Sequence, residues 1–160
     1  MDKKVSFTSN QKIIELLTTG VLLFLFGYLM INWSAIPEEV PSHFNALGVA
    51  DAWSGKGTVI FVPIVCLTLY LLLTVVSFFP SIWNIPVKLT PGNYVFVYQN
   101  IRSLICYLKL VLVSTFSYIS ICTAISKPLG TIFLPLILII VFGLIVVFLI
   151  KIKKFSKATK

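Results

Sequence analysis

Residues 131–150 read TIFLPLILIIVFGLIVVFLI, an uncharged run of twenty positions, and residues 151–154 follow as KIKK. A helix rises about 1.5 Å per residue, so this run covers about 30 Å, the hydrocarbon thickness of a bilayer. Lysines at its end are the charged flank expected where a helix leaves lipid for headgroups. The stretch therefore predicts a membrane span, and three further apolar runs, at 13–33, 58–79 and 103–126, repeat the pattern.

The whole chain agrees with that reading. Of its 160 residues 58% are hydrophobic and 11% charged, which argues against a water-soluble domain. The net charge of +8 sits beside the apolar spans rather than along a polar face, so no nucleic-acid partner is expected and the lipid bilayer is. Cys66, Cys106 and Cys122 each lie inside an apolar run, where free cysteine acts as a small hydrophobe, and no disulfide framework or metal-binding pair is formed. The first apolar run is too long for a signal peptide, and Trp33-Ser34-Ala35 places a bulky ring where cleavage needs a small residue, so a retained helix is expected.

The expected fold class is all-α: an integral membrane bundle of four transmembrane helices, forming one membrane domain, with a structured outer loop at 34–57 between helices 1 and 2. Thr90-Pro91 offers a capping hydroxyl and a first-turn proline, so the third helix is predicted to start near Pro91, before its span, and to run to Ser126. A basic tail, 151–160, follows the last span. With an even number of spans, both termini and the second loop share a side. Ten of the thirteen basic residues fall there, among them Lys3, Lys4, Lys12, Lys88, Arg102 and five tail lysines ending at Lys160. Lys56 and Lys127 lie on the other side and Lys109 within a span. Cytoplasmic flanks carry the basic excess, so a cell-membrane protein with both termini cytoplasmic is expected.

The loop at 34–57 alternates polar and apolar groups and is expected to fold as an ordered cap on the outer end of the bundle. Its residues fit P-x3-P-x-H-F-N-x2-G-x2-D-x-W-x2-K, with Pro37, Pro41, His43, Phe44, Asn45, Gly48, Asp51, Trp53 and Lys56 at the fixed positions. This motif, set directly between two membrane spans, resembles the signature of the bacterial family called domain of unknown function 1648. The same segment occurs at the amino end of Sdp-type membrane immunity proteins, so the resemblance implies protection against a secreted toxic peptide. Ala50 stands where that family has proline, which is expected to loosen the turn before Asp51.

Two roles are open to the motif. His43, Asp51 and Asn45 carry imidazole, carboxylate and amide groups able to hold a metal ion, a headgroup or a peptide. One histidine and one carboxylate make an incomplete zinc set unless Glu38 or Glu39 joins them. Alternatively the three pin the loop through backbone hydrogen bonds. Pro37 and Pro41 read as stiffeners, Gly48 as a turn residue with positive φ, Trp53 as an interfacial anchor and Lys56 as a snorkelling lysine.

A second polar group lies toward the inner side. Gln99, Arg102, Cys106 and Lys109 recur at helical spacing on one face, and Lys109 sits about 10 Å deeper than Arg102. Intramembrane charge costs about 2.5–3.5 kcal/mol on insertion scales, so Lys109 either snorkels to the inner headgroups or does functional work. Glu15, the acid nearest that level, is expected to pair with Arg102 or Lys109. A functional version of this face would suit an anionic lipid headgroup or another phosphate.

Function is thus expected to be non-enzymatic and without a cofactor: a multi-pass protein binding a partner, such as a secreted peptide, at its outer loop. A small transporter acting as an oligomer, motivated by Lys109, Pro63 and Pro135 with Gly20, Gly27 and Gly143 as approach points, is the second reading. A membrane enzyme with a metal site at His43 and Asp51 is the third.

Overall fold

The computed structural model describes residues 5–158. Asp2, Lys3, Lys4 and Lys160 lie outside the described residues. Four helices among the described residues are long and apolar enough to cross a membrane, and the protein is a multi-pass membrane protein.

Helix α1 (Ser9–Asn32) starts ahead of the expected span because Thr8 and Gln11 close a capping box. The Thr8 hydroxyl accepts from the Gln11 amide at 3.3 Å, and the Gln11 side chain accepts from the Thr8 amide at 3.0 Å, satisfying two otherwise orphaned donors. A short 3-10 turn, Trp33–Ala35, leads out of it. The loop at 34–57 then departs from an all-helical picture: strands β1 (Glu39–Phe44) and β2 (Ala50–Gly55) pair antiparallel as a hairpin. A second 3-10 turn, Lys56–Ile60, feeds α2 (Phe61–Phe78). Helices α3 (Tyr94–Ala124) and α4 (Phe133–Ala158) complete the chain.

Three helix ends differ from the sequence reading. Helix α3 begins at Tyr94 rather than near Pro91, because Asn93 turns its side chain back: its Oδ1 accepts from the Thr90 amide at 2.9 Å and its Nδ2 donates to the Lys88 carbonyl. Thr90 makes no capping bond, and its hydroxyl is buried without a partner. The same helix stops at Ala124, where Ser126 adopts φ 51° and the Lys127 amide reaches back to the Cys122 carbonyl, the bond that closes a left-handed helix end. The basic tail is not a separate segment, since α4 continues through it to Ala158; lysine is a good helix former.

Helix α3 packs against each of the other three. Helix α4 is the least covered of the four, burying only Ile152 and Ser156. Gly20, Gly27 and Gly143 have open space where a Cβ would stand, so none is a close-approach point within the chain. The hairpin and the α3–α4 turn share one end of the bundle. At the other end Phe96 stacks on Phe155 at 3.8 Å, Asn93 donates to the Ser156 hydroxyl at 3.2 Å, and Arg102 reaches the Val5 carbonyl. The amino-terminal segment, the α2–α3 connector and the end of α4 therefore meet, as an even number of spans requires.

The hairpin is anchored from both of its ends. Val40 enters a core of Leu25, Leu29, Ile36, Val59 and Ala124, which ties β1 to α1 and α3. At the tip, the Leu129 amide donates to the Gly48 carbonyl at 2.8 Å, and Gly48 has φ 73° as its turn position predicts. Asn45 organises the turn, accepting at Oδ1 from the Leu47 and Val49 amides at 2.9 and 3.1 Å. Replacing Asn45 with alanine is expected to cost about 1 kcal/mol locally and to accelerate hydrogen exchange at Leu47 and Val49. Unchanged exchange at both amides would assign the turn to the backbone alone.

Candidate functional site

The hairpin roofs a cavity of about 920 Å³. Its floor and walls come from α2 and from the facing parts of α3 and α4: Phe61, Val62, Ile119, Phe133 and Leu134. Its roof is the end of β1 and the hairpin turn, from Pro41 through Ala46, with Gly48. An apolar slot with a polar lip is the form expected of a site for an amphipathic molecule.

The motif residues divide around it. Pro41, His43, Phe44, Asn45 and Gly48 line the cavity, while Pro37, Asp51, Trp53 and Lys56 do not. Asp51 acts one step back: its carboxylate meets His43 Nδ1 at 2.5 Å, across the bulged register that sets His43 opposite Ala52. A carboxylate on Nδ1 fixes the ring's orientation and leaves Nε2 as the imidazole's second polar atom. Both side chains are well exposed, at 68% and 43%, so the pair is wetted. Lys56 does not extend freely to an interface. It faces Glu38 at 3.7 Å and lies 5.5 Å from the centre of the Trp33 ring, closing the base of the hairpin, where its amide also donates to the Glu38 carbonyl. Trp53 is half exposed. Ala50 sits in β2 opposite Phe44, so the strand forms without a proline.

Among the described residues no three histidine, cysteine, aspartate or glutamate side chains come together as a metal set. Glu38 is committed to Lys56, away from His43. The pair of His43 and Asp51 stands with His43 lining the apolar cleft and Asp51 behind it.

The polar face of α3 is also assembled, and one expectation is corrected. Lys109 does not snorkel: it is fully buried, with its ammonium on Glu15 and on the Thr74 hydroxyl at 2.8 Å, and 4.9 Å from the centre of the Tyr70 ring. The Glu15 partner is therefore Lys109 rather than Arg102. Thr74 and Tyr70 come from α2, where nothing in an apolar run distinguishes them as partners. Gln99 takes part through its backbone, its carbonyl accepting from the Gln11 side chain at 2.9 Å, so α1 and α3 are locked by a buried amide. Cys106 is wholly buried on the same face. Arg102 is separate, bonding the Ser77 and Val5 carbonyls.

Residues 20–67, which carry the end of α1, the hairpin and the start of α2, match the model of the family described as Domain of unknown function (DUF1648). No curated protein and no solved structure matches the chain. The matched segment supplies the roof and one wall of the cavity; α3 and α4, which supply the rest, lie beyond it.

Proposed function

We propose that the protein is a non-enzymatic membrane receptor for an amphipathic partner, held in the cleft beneath the hairpin. The observation that carries this reading is the cleft itself: apolar walls from three helices, closed on top by the hairpin, whose strand and turn contribute His43 and Asn45 to the lining. A partner lying partly in lipid would insert its apolar side between α2 and α4 and present polar groups to the imidazole. The basic excess at the opposite end favours a cell-membrane orientation with both termini cytoplasmic and the hairpin outside. A secreted toxic peptide is then the partner class that fits best, since it arrives from the hairpin side, and immunity is the corresponding role.

A photoreactive residue placed at Phe133, in the cleft, and at Phe142, on the exposed face of α4, tests the proposal in cells. A discrete peptide adduct is expected at Phe133 alone. His43→Ala and Asp51→Asn are expected to weaken that adduct about tenfold, the effect of about 1.4 kcal/mol, with membrane abundance unchanged. Identical lipid-only adducts at both positions would sink the reading.

A further inference from the structure

Among the described residues Arg102 is a buried cation without an anion. It is 4% exposed, and a guanidinium stays charged in a protein. Its Nε donates to the Ser77 carbonyl at 3.3 Å and its Nη1 to the Val5 carbonyl. Two carbonyls use only part of a five-donor fork and supply no countercharge. Each described acid lies elsewhere: Glu15 is on Lys109, Glu38 on Lys56, Asp51 on His43, and Glu39 is in the hairpin at the far end of the bundle. Unpaired buried charge is costly, which makes an external anion the natural complement.

The surroundings fit one. Arg102 lines a cavity of about 750 Å³ between the amino-terminal segment, the end of α2 and the α2–α3 connector, opposite the hairpin. Thr90 lines the same cavity, and its buried hydroxyl has no partner, a second polar group left for a ligand. Ser6, Ser81 and Tyr98 add hydroxyls to the wall, while Phe78 and Phe79 give it an apolar side. The guanidinium itself is flanked by the Phe7 and Trp83 rings, 4.5 and 5.6 Å from Cζ to the ring centres. Flanking rings hold the fork flat and dry, the setting in which arginine grips phosphate through two parallel bonds.

We infer that Arg102, with Thr90, binds a phosphate group in this cavity, carried either by an anionic phospholipid headgroup or by a soluble phosphate. The full chain, purified in an uncharged detergent, is titrated separately with inorganic phosphate, with short-chain phosphatidylglycerol and with a short-chain diacylglycerol lacking phosphate. Tryptophan fluorescence and the mass of the retained complex are read. One saturable site is expected, with no response to diacylglycerol. Saturation by inorganic phosphate assigns a soluble source, and saturation by phosphatidylglycerol alone assigns the lipid. Arg102→Lys keeps the charge but loses the fork, and binding is expected to weaken about tenfold or more. The absence of a saturable site, or Arg102→Lys binding as tightly as the parent, overturns the assignment. Should Arg102→Lys not accumulate as folded protein, Thr90→Val decides: about threefold weaker binding is expected, and undiminished binding overturns it.

Discussion

Glu15→Gln is expected to lower the stability of the folded protein by about 3–5 kcal/mol and to reduce its accumulation in membranes severalfold. The reason is the environment rather than the strength of the contact. Lys109 has no exposure at all, and Glu15 is its only described carboxylate partner, so neutralising the acid leaves an ammonium buried among apolar helices with Thr74 and the Tyr70 ring for company. Lys109→Met leaves the opposite orphan, the carboxylate, one of whose oxygens already lacks a hydrogen-bond partner. Joining both changes removes both charges, and the double variant is expected to recover most of what either single change loses. Glu15→Lys, which brings two cations together, should do worse than any of these and far worse than Asp2→Lys. Thermal melting of the purified variants, closed as a double-mutant cycle, measures the coupling. Additive losses would mean that the two side chains act independently. Lys12→Gln, on an exposed lysine, sets the scale at about 0.5 kcal/mol or less.

That Glu15 would answer an intramembrane cation was legible from the sequence, because only one acid lay at the right depth; the choice of Lys109 over Arg102, and its burial in place of snorkelling, was not. Turn chemistry gave the positive φ of Gly48, where the backbone requirement and the residue type coincide, and of the two roles left open for Asn45 the structure shows the backbone-pinning one. The spans were legible because hydropathy over about twenty residues reports transfer to lipid, which does not depend on tertiary contacts. The hairpin was not. Val40 and Pro41 are both buried in succession, and a bulge after Pro41 shifts the register, so β1 never shows the strict alternation by which a strand is read. The fate of Thr90 was hidden for a different reason: threonine, proline and asparagine within four positions offer competing caps, and only the packing of Asn93 against Ser156 on α4 selects one.

The cleft escaped sequence reading altogether. Phe61, Ile119 and Phe133 line it, yet phenylalanine and isoleucine also cover the lipid-facing surfaces of α2 and α4, and in a bilayer an apolar residue has no preferred side. Helical periodicity, which separates core from solvent in water, loses its contrast when the solvent is lipid. What marks the site is the hairpin above it, and the hairpin's tip is held over the cleft by one small contact, Gly48 against the Leu129–Gly130 turn.

Gly48→Ala should break that contact. A Cβ on Gly48 would stand 2.6 Å from the Gly130 carbonyl oxygen and 2.9 Å from its nitrogen, both backbone atoms that no rotamer change can move. The residue also sits at φ 73°, where an L side chain costs about 1–2 kcal/mol before any clash is counted, and displacing the neighbouring turn adds a comparable amount. A loss of about 3 kcal/mol is therefore expected. Gly130→Ala separates the two contributions: its φ is 89°, but a Cβ there meets open space, so it should lose only the backbone part. Gly57→Ala, free of both constraints, should be nearly silent. Hydrogen exchange at the Leu129 amide, bonded to the Gly48 carbonyl, reports the docking directly. It should accelerate far more in Gly48→Ala than in Gly130→Ala, and the cleft adduct at Phe133 should fall with it. Equal exchange in the two variants would show that the hairpin is held by Val40 and the core beneath it, leaving its tip free to swing over the cleft as a lid.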